Sequence, residues 1–121
     1  VVTLSVDKVM FREPIYVCEL VTFAASVNYV GNTSMEVGIR VEAEDVRART
    51  VRHTNSCYFT MVAIDDNGKP TPAPPLDIKN PMQQCRADAA LERKNLRLES
   101  SHRPSCDIGD MVGELANSHD R

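Results

Sequence analysis

Between Ser56 and Asp65 the chain reads Ser-Cys-Tyr-Phe-Thr-Met-Val-Ala-Ile-Asp, with apolar residues at both parities. Side chains of an extended chain alternate between faces. Phe59, Met61 and Ala63 therefore lie on one side, and Tyr58, Val62 and Ile64 on the other. A run of this length also suits a buried helical segment. Its β-branched and aromatic content, and the Asp66-Asn67-Gly68-Lys69-Pro70 stop behind it, favour a strand. A strand that is apolar on both faces needs cover on both, which predicts that it sits at the centre of a sheet.

The preceding residues supply the neighbours. From Val1 to Phe11 one parity carries Val2, Leu4, Val6 and Met10, and the other carries Thr3, Ser5 and Asp7 before Val9 and Phe11. This predicts one strand with an apolar and a partly polar face, ended by Arg12-Glu13-Pro14. From Leu20 to Val30 the pattern points Val21, Phe23, Ala25, Val27 and Tyr29 inward and Thr22, Ser26 and Asn28 outward. Gly31-Asn32 then offers positive-φ residues for a two-residue hairpin. Beyond it Met35, Val37, Ile39, Val41 and Ala43 form an inner row, and Ser34, Glu36, Arg40, Glu42 and Glu44 an outer one. Asp45 to Arg52 is a polar connection, so Leu20 to Asp65 reads as a three-stranded antiparallel meander.

Lys69-Pro-Thr-Pro-Ala-Pro-Pro75 can be neither helix nor inner strand, and should run extended over the surface. Asn80-Pro81 is an N-cap and first-turn pair, opening a helix from about Met82 to Leu98. Its apolar stripe of Met82, Cys85, Ala89 and Leu96 is thin, which predicts a mostly exposed helix. Ser100 to Arg121 is polar, and no structure is assigned to it. The class is α+β, with one inconsistency. Four long strands make a face rich in Val, Ile, Phe and Met, and no strongly amphipathic helix follows to cover it. The chain also opens on Val1-Val2-Thr3-Leu4, already in strand pattern, so the expectation is a fragment whose covering helix lies upstream or on a second chain.

Charge and cysteine usage narrow the function. At net −3, with Arg40, Arg47 and Arg49 interleaved with Glu42, Glu44 and Asp45, no basic face marks a nucleic-acid binder. No apolar run approaches the length of a membrane span, and the expectation is a cytoplasmic protein. Cys18, Cys57, Cys85 and Cys106 are irregularly spaced and read as reduced thiols. Neither a disulfide framework nor a metal site is expected, and His102, Cys106 and His119 lack zinc-ligand spacing.

Three separated stretches carry a resemblance. Val-Val-Thr-Leu-Ser-Val-Asp-Lys-Val-Met-Phe-Arg-Glu-Pro-Ile (1–15), Tyr-Val-Gly-Asn-Thr-Ser-Met-Glu-Val (29–37) and Arg-His-Thr-Asn-Ser-Cys-Tyr-Phe-Thr-Met-Val-Ala-Ile-Asp (52–65) through Pro75 look like the hotdog-fold acyl-CoA thioesterases of the broad-specificity acyl-CoA hydrolase type. The resemblance covers Val1 to Leu98, and fold alone would not fix the activity. It implies a partial hotdog domain over 1–98, whereas 99–121 lies outside the resemblance and reads from its polar composition as a disordered tail. Four of the five sheet strands would be present, without the first strand and central helix. It also implies acyl-CoA as substrate with coenzyme A as part of it, no separate cofactor, and pairing with a second copy or a second hotdog domain. The alternative is a non-catalytic hotdog module that binds acyl-CoA or a partner domain.

Thioester hydrolysis needs donors for the developing oxyanion and a side chain that aligns or activates water. In the resembling enzymes both lie before the matched strands, so no catalytic residue is assigned here and the chain alone is expected to be inactive. Asp7 and His53 read as a partly solvated strand carboxylate and a solvent-facing or capping histidine. The resemblance does imply binding residues for coenzyme A. These are the Asn32-Thr33-Ser34 reversal, the Thr3-Leu4-Ser5 backbone, and Arg93 ahead of Lys94 and Arg97 for the phosphates. Asn32-Thr33-Ser34 is also a glycosylation sequon, discounted without a secretory leader.

Overall fold

The computed structural model describes residues 1–7 and 9–101. They form β1 (Val2–Val6), β2 (Met10–Phe11), β3 (Leu20–Val30), β4 (Ser34–Asp45), β5 (Thr50–Val62) and α1 (Pro81–Ser100). Two compact units divide the chain. The first, Val1–Leu91, contains the sheet, and the second begins at Glu92 within α1.

The sheet is antiparallel in the order β1-β5-β4-β3, with β2 also paired to β5. β5 is therefore central, as its two apolar faces predict, and β3-β4-β5 is the expected meander. One face carries Phe23, Ala25 and Val27 of β3 opposite Val41, Ile39 and Val37 of β4, which in turn face Asn55, Cys57 and Phe59 of β5. Val41 and Cys57 are buried there, whereas Phe23 and Phe11 stay 69% and 73% exposed.

Three irregularities depart from the predicted alternation, each a bulge with an extra residue in one strand. The expected Val1–Phe11 strand is split into β1 and β2, and within β1 the pairing shifts between Thr3 and Ser5. Thr3 lies across from Met61 but Ser5 across from Thr60, so the two hydroxyl residues fall on opposite faces. In β5 the extra residue is Thr54, fully buried, whose hydroxyl donates to the Val41 carbonyl at 3.2 Å. The Thr54 carbonyl accepts from Arg12 N–H at 2.8 Å, which ties the chain after β2 to the bulge.

The third bulge moves Tyr29 out of its predicted row, while Asn28 and Glu36 keep their predicted face but are buried rather than solvent-facing. Pairing shifts between Val27 and Tyr29, so Tyr29 lies opposite Glu36 rather than in the apolar row. Asn28 and Glu36 are each only 5% exposed. Asn28 Nδ2 donates to Glu36 Oε1 at 3.2 Å, and Ser26 Oγ donates to Asn28 Oδ1 at 2.9 Å. Buried polar groups persist where they find such partners.

The helix begins where its cap predicts. Asn80 Oδ1 accepts from Gln83 N–H at 2.9 Å, and Gln83 Oε1 accepts from Lys79 N–H at 2.7 Å. Its buried residues are not the predicted stripe: Ala87 and Ala90 are buried, while Met82 and Leu96 are 63% and 58% exposed. In the first unit Ala87 and Leu91 border a crevice of about 320 Å³ with Tyr29, Val30, Leu76 and Ile78. Ala87 and Ala90 carry too little apolar surface to stand out in a stripe of large side chains.

The β4–β5 hairpin carries a stability prediction. Asp45 Oδ1 accepts from Arg47 and Ala48 N–H at 2.9 and 3.0 Å, and Arg49 completes the turn at φ 54°. A left-handed conformation disfavours a residue with a Cβ, whereas Gly adopts it freely. Arg49→Gly should stabilise the fold by about 0.5–1 kcal/mol, read as a higher Tm. A lower Tm would mean that the arginine side chain contributes more than its backbone costs.

Candidate functional site

The Asn32–Ser34 reversal is built differently from a two-residue hairpin. Among the described residues positive φ occurs only at Cys18, Arg49 and Gly68, so neither Gly31 nor Asn32 uses the left-handed region. Three residues, Gly31 to Thr33, join β3 to β4, and Gly31 N–H closes the loop on the Ser34 carbonyl at 2.8 Å. The Thr33 carbonyl accepts from Ala63 N–H, and the Asn32 carbonyl from Ala73 N–H, each at 2.8 Å. Asn32 is exposed, while Thr33 and Ser34 are half-buried.

The segment that reaches this reversal is the proline-rich stretch after β5. Asp65 starts it: Oδ1 accepts from Asn67 and Lys69 N–H, both at 2.9 Å, and Gly68 turns the chain at φ 76°. Asp65 N–H then donates to the Lys69 carbonyl, Ile64 bridges Pro70, and Thr71 N–H donates to the Ala63 carbonyl at 2.9 Å. Prolines at 70, 72 and 74 leave N–H groups only at Lys69, Thr71 and Ala73. Each of those three donates inward, so the outer edge presents no donor between them.

The second candidate segment lies at the same end of the sheet. Val62 is flanked by Val2 on one side and Ser34 on the other, and Met61 by Thr3 and Met35. The reversal and the start of β1 are therefore two strand spacings apart, roughly 10 Å. Leu4, at the bulge, is 67% exposed. Ser5 Oγ is buried without a hydrogen-bond partner among the described residues, and Asp7 N–H binds the Tyr58 carbonyl at 2.9 Å. Arg93, the cation chosen for phosphates, lies half-buried in the second unit.

His53 is within β5, across from Glu42, rather than at the strand entrance. Its Nε2 lies 2.9 Å from Ser56 Oγ, because the Thr54 bulge brings both side chains to one face. A histidine beside a serine suggests nucleophilic catalysis only if an acid orients the ring. The carboxylate opposite, Glu42, instead binds Arg40 Nε at 2.7 Å, and the pair reads as a surface hydrogen bond. Among the described residues no cluster of His, Cys, Asp or Glu could hold a metal, and no helix is long and apolar enough to cross a membrane. The His102, Cys106 and His119 trio and most of the 99–121 tail lie outside the described residues.

Known proteins share this sequence and architecture. The sequence pattern of the thioesterase superfamily matches residues 1–50. VdlD of Helicobacter pylori is 58% identical over 96 residues, 79% of this chain and 55% of that protein. The chain thus spans about half the length of that relative. A crystal structure of an apo-hexameric acyl-CoA thioesterase superposes with TM-score 0.80 at 30% identity, covering 85% of this chain and 66% of that one. An acyl-CoA hydrolase from Staphylococcus aureus, solved with butyryl coenzyme A, coenzyme A and coenzyme A disulfide, gives TM-score 0.72 at 30% identity, over 95% of this chain and 68% of that one. Superposition and matching sequence over most of the chain place it, as the motifs of β1, the reversal and β5 suggested, in the hotdog-fold acyl-CoA thioesterase family.

Proposed function

We propose that this chain serves an acyl-CoA thioester hydrolase that converts a fatty acyl-CoA and water to a free fatty acid and coenzyme A. The likeness to a hydrolase solved with coenzyme A and butyryl coenzyme A carries this reading, because it extends over 95% of the chain at 30% identity. The Asn32–Ser34 reversal and the start of β1, brought to one end of the sheet, are the binding elements. Asn32, Thr33 and Ser34 offer amide and hydroxyl groups, and Thr3, Leu4 and Ser5 offer an edge-strand backbone, to the pantetheine arm. Arg93 is the phosphate ligand, since a guanidinium fork suits phosphate oxygens. No described residue is assigned to the activation of water.

The reaction on this reading uses neither metal nor redox cofactor, in the cytoplasm, where the free thiols Cys18, Cys57 and Cys85 stay reduced. Assembly is through copies of the hotdog sheet. A hexameric thioesterase with the same fold supports it, and so do the apolar side chains Phe11 and Phe23 left open on one face.

The test is steady-state hydrolysis of a long-chain acyl-CoA, followed by thiol release, in the protein that carries this chain. Thr33→Ala with Ser34→Ala should raise KM about tenfold while kcat changes less than about twofold, because the contacts bind ground and transition states alike. An unchanged KM would remove the reversal from the site.

A further inference from the structure

We infer that Thr71 and Ala73 are positioning residues for coenzyme A binding, because Ala73 N–H holds the Asn32–Ser34 reversal directly and Thr71 N–H holds it through Ala63. This rests on the preceding assignment of that reversal. The loop is closed by the Gly31 N–H to Ser34 carbonyl bond without a positive φ at Gly31 or Asn32. Its Asn32 and Thr33 carbonyls are held from outside, by the proline-rich strap and the end of β5 that it crosses. Ala63 is the hub: its N–H binds the Thr33 carbonyl, and its carbonyl accepts Thr71 N–H. Two residues further, Ala73 N–H takes the Asn32 carbonyl at 2.8 Å.

Because a peptide is planar and trans, a carbonyl turned toward the strap turns the following N–H away from it. Securing the Asn32 carbonyl thus directs Thr33 N–H outward. The strap admits one register. A slip of one residue would set Pro72 or Pro74 against Asn32, and neither has an N–H to give. The Asp65 clasp and the left-handed Gly68 fix where the strap starts, so the alternation of prolines fixes where it ends. Proline also lowers the freedom of the strap before it docks, which favours the ordered loop.

The experiment replaces the donor without changing the rest. Ala73→Pro should raise KM for acyl-CoA about tenfold with kcat within about twofold, and Ala73→Ser, which keeps the N–H, should retain the original KM. Thr71→Pro, one rung further from the reversal, should raise KM by a smaller factor and serves if Ala73→Pro does not fold. Far-ultraviolet circular dichroism confirms that each variant is folded. An unchanged KM in folded Ala73→Pro and Thr71→Pro, or an equal rise in Ala73→Ser, overturns the inference. The Thr33→Ala, Ser34→Ala variant separates the two ways of failing. If it raises KM and the proline variants do not, the strap is no positioning device. If it too is silent, the assignment of the reversal fails and the inference falls with it.

Discussion

Gly38→Ala should lower the Tm by about 10–20 °C, the largest effect expected of any single methyl group in this chain. A Cβ at Gly38 would lie 2.4 Å from Asn28 Nδ2 and 3.3 Å from both Asn28 Cγ and Tyr58 Cε1. Asn28 cannot swing aside freely, since it is 5% exposed and held by Ser26 and Glu36. The methyl either forces the amide off Glu36 or spreads β3 from β4. Overpacking costs about 1–3 kcal/mol and a hydrogen bond lost from a buried carboxylate a similar amount, and because moving the amide relieves part of the overpacking the two overlap, at about 2–4 kcal/mol together. A double-mutant cycle checks the cause. Asn28→Ala costs stability alone, but added to Gly38→Ala it should cost far less, because the clash is already gone. Additive losses would show that the methyl acts elsewhere.

Gly38 also marks what could be read in advance and what could not. The rows Val37-Ile39-Val41 and Phe59-Met61 locate β4 and β5 and their mutual face without structural help, because a buried face repeats every second residue. Asn80-Pro81 locates the helix start through chemistry confined to one turn. Bulges escape such a reading, since one extra residue reverses parity for everything beyond it: Ser5 parts from Thr3, and Tyr29 leaves the Val27 row for the face of Glu36. The one local signal was a glycine within an otherwise regular strand, which indicates that something approaches closely. For the site, the sequence indicated the reversal but not what shapes it. The bonds from Ala63 and Ala73 join residues 30 and 41 positions away in the chain, and only the proline alternation hinted that the strap has an inner and an outer edge.

Arg52→Ala should cost about 2–3 kcal/mol of stability and leave KM for acyl-CoA unchanged. Arg52 pairs with Glu19, whose side chain is 8% exposed, and its guanidinium lies 5.3 Å from the centre of the Tyr16 ring. Glu19 in turn accepts Tyr16 N–H at 2.8 Å and closes a turn in which Cys18 sits at φ 73°. Removing the guanidinium strands a nearly buried carboxylate and uncovers the turn, the costly way to break an ion pair. Arg52→Lys should recover only part, since an ammonium can neither fork to the carboxylate nor stack on the ring. Glu19→Gln placed on Arg52→Ala should recover stability by neutralising the stranded charge. Arg52 lies across from Ala43, whereas the reversal adjoins Val62, ten residues further along β5 and roughly 30 Å away. If general softening of the sheet were enough to raise KM, Arg52→Ala would raise it as Ala73→Pro does. A lower Tm with an unchanged KM ties the binding defect to the strap.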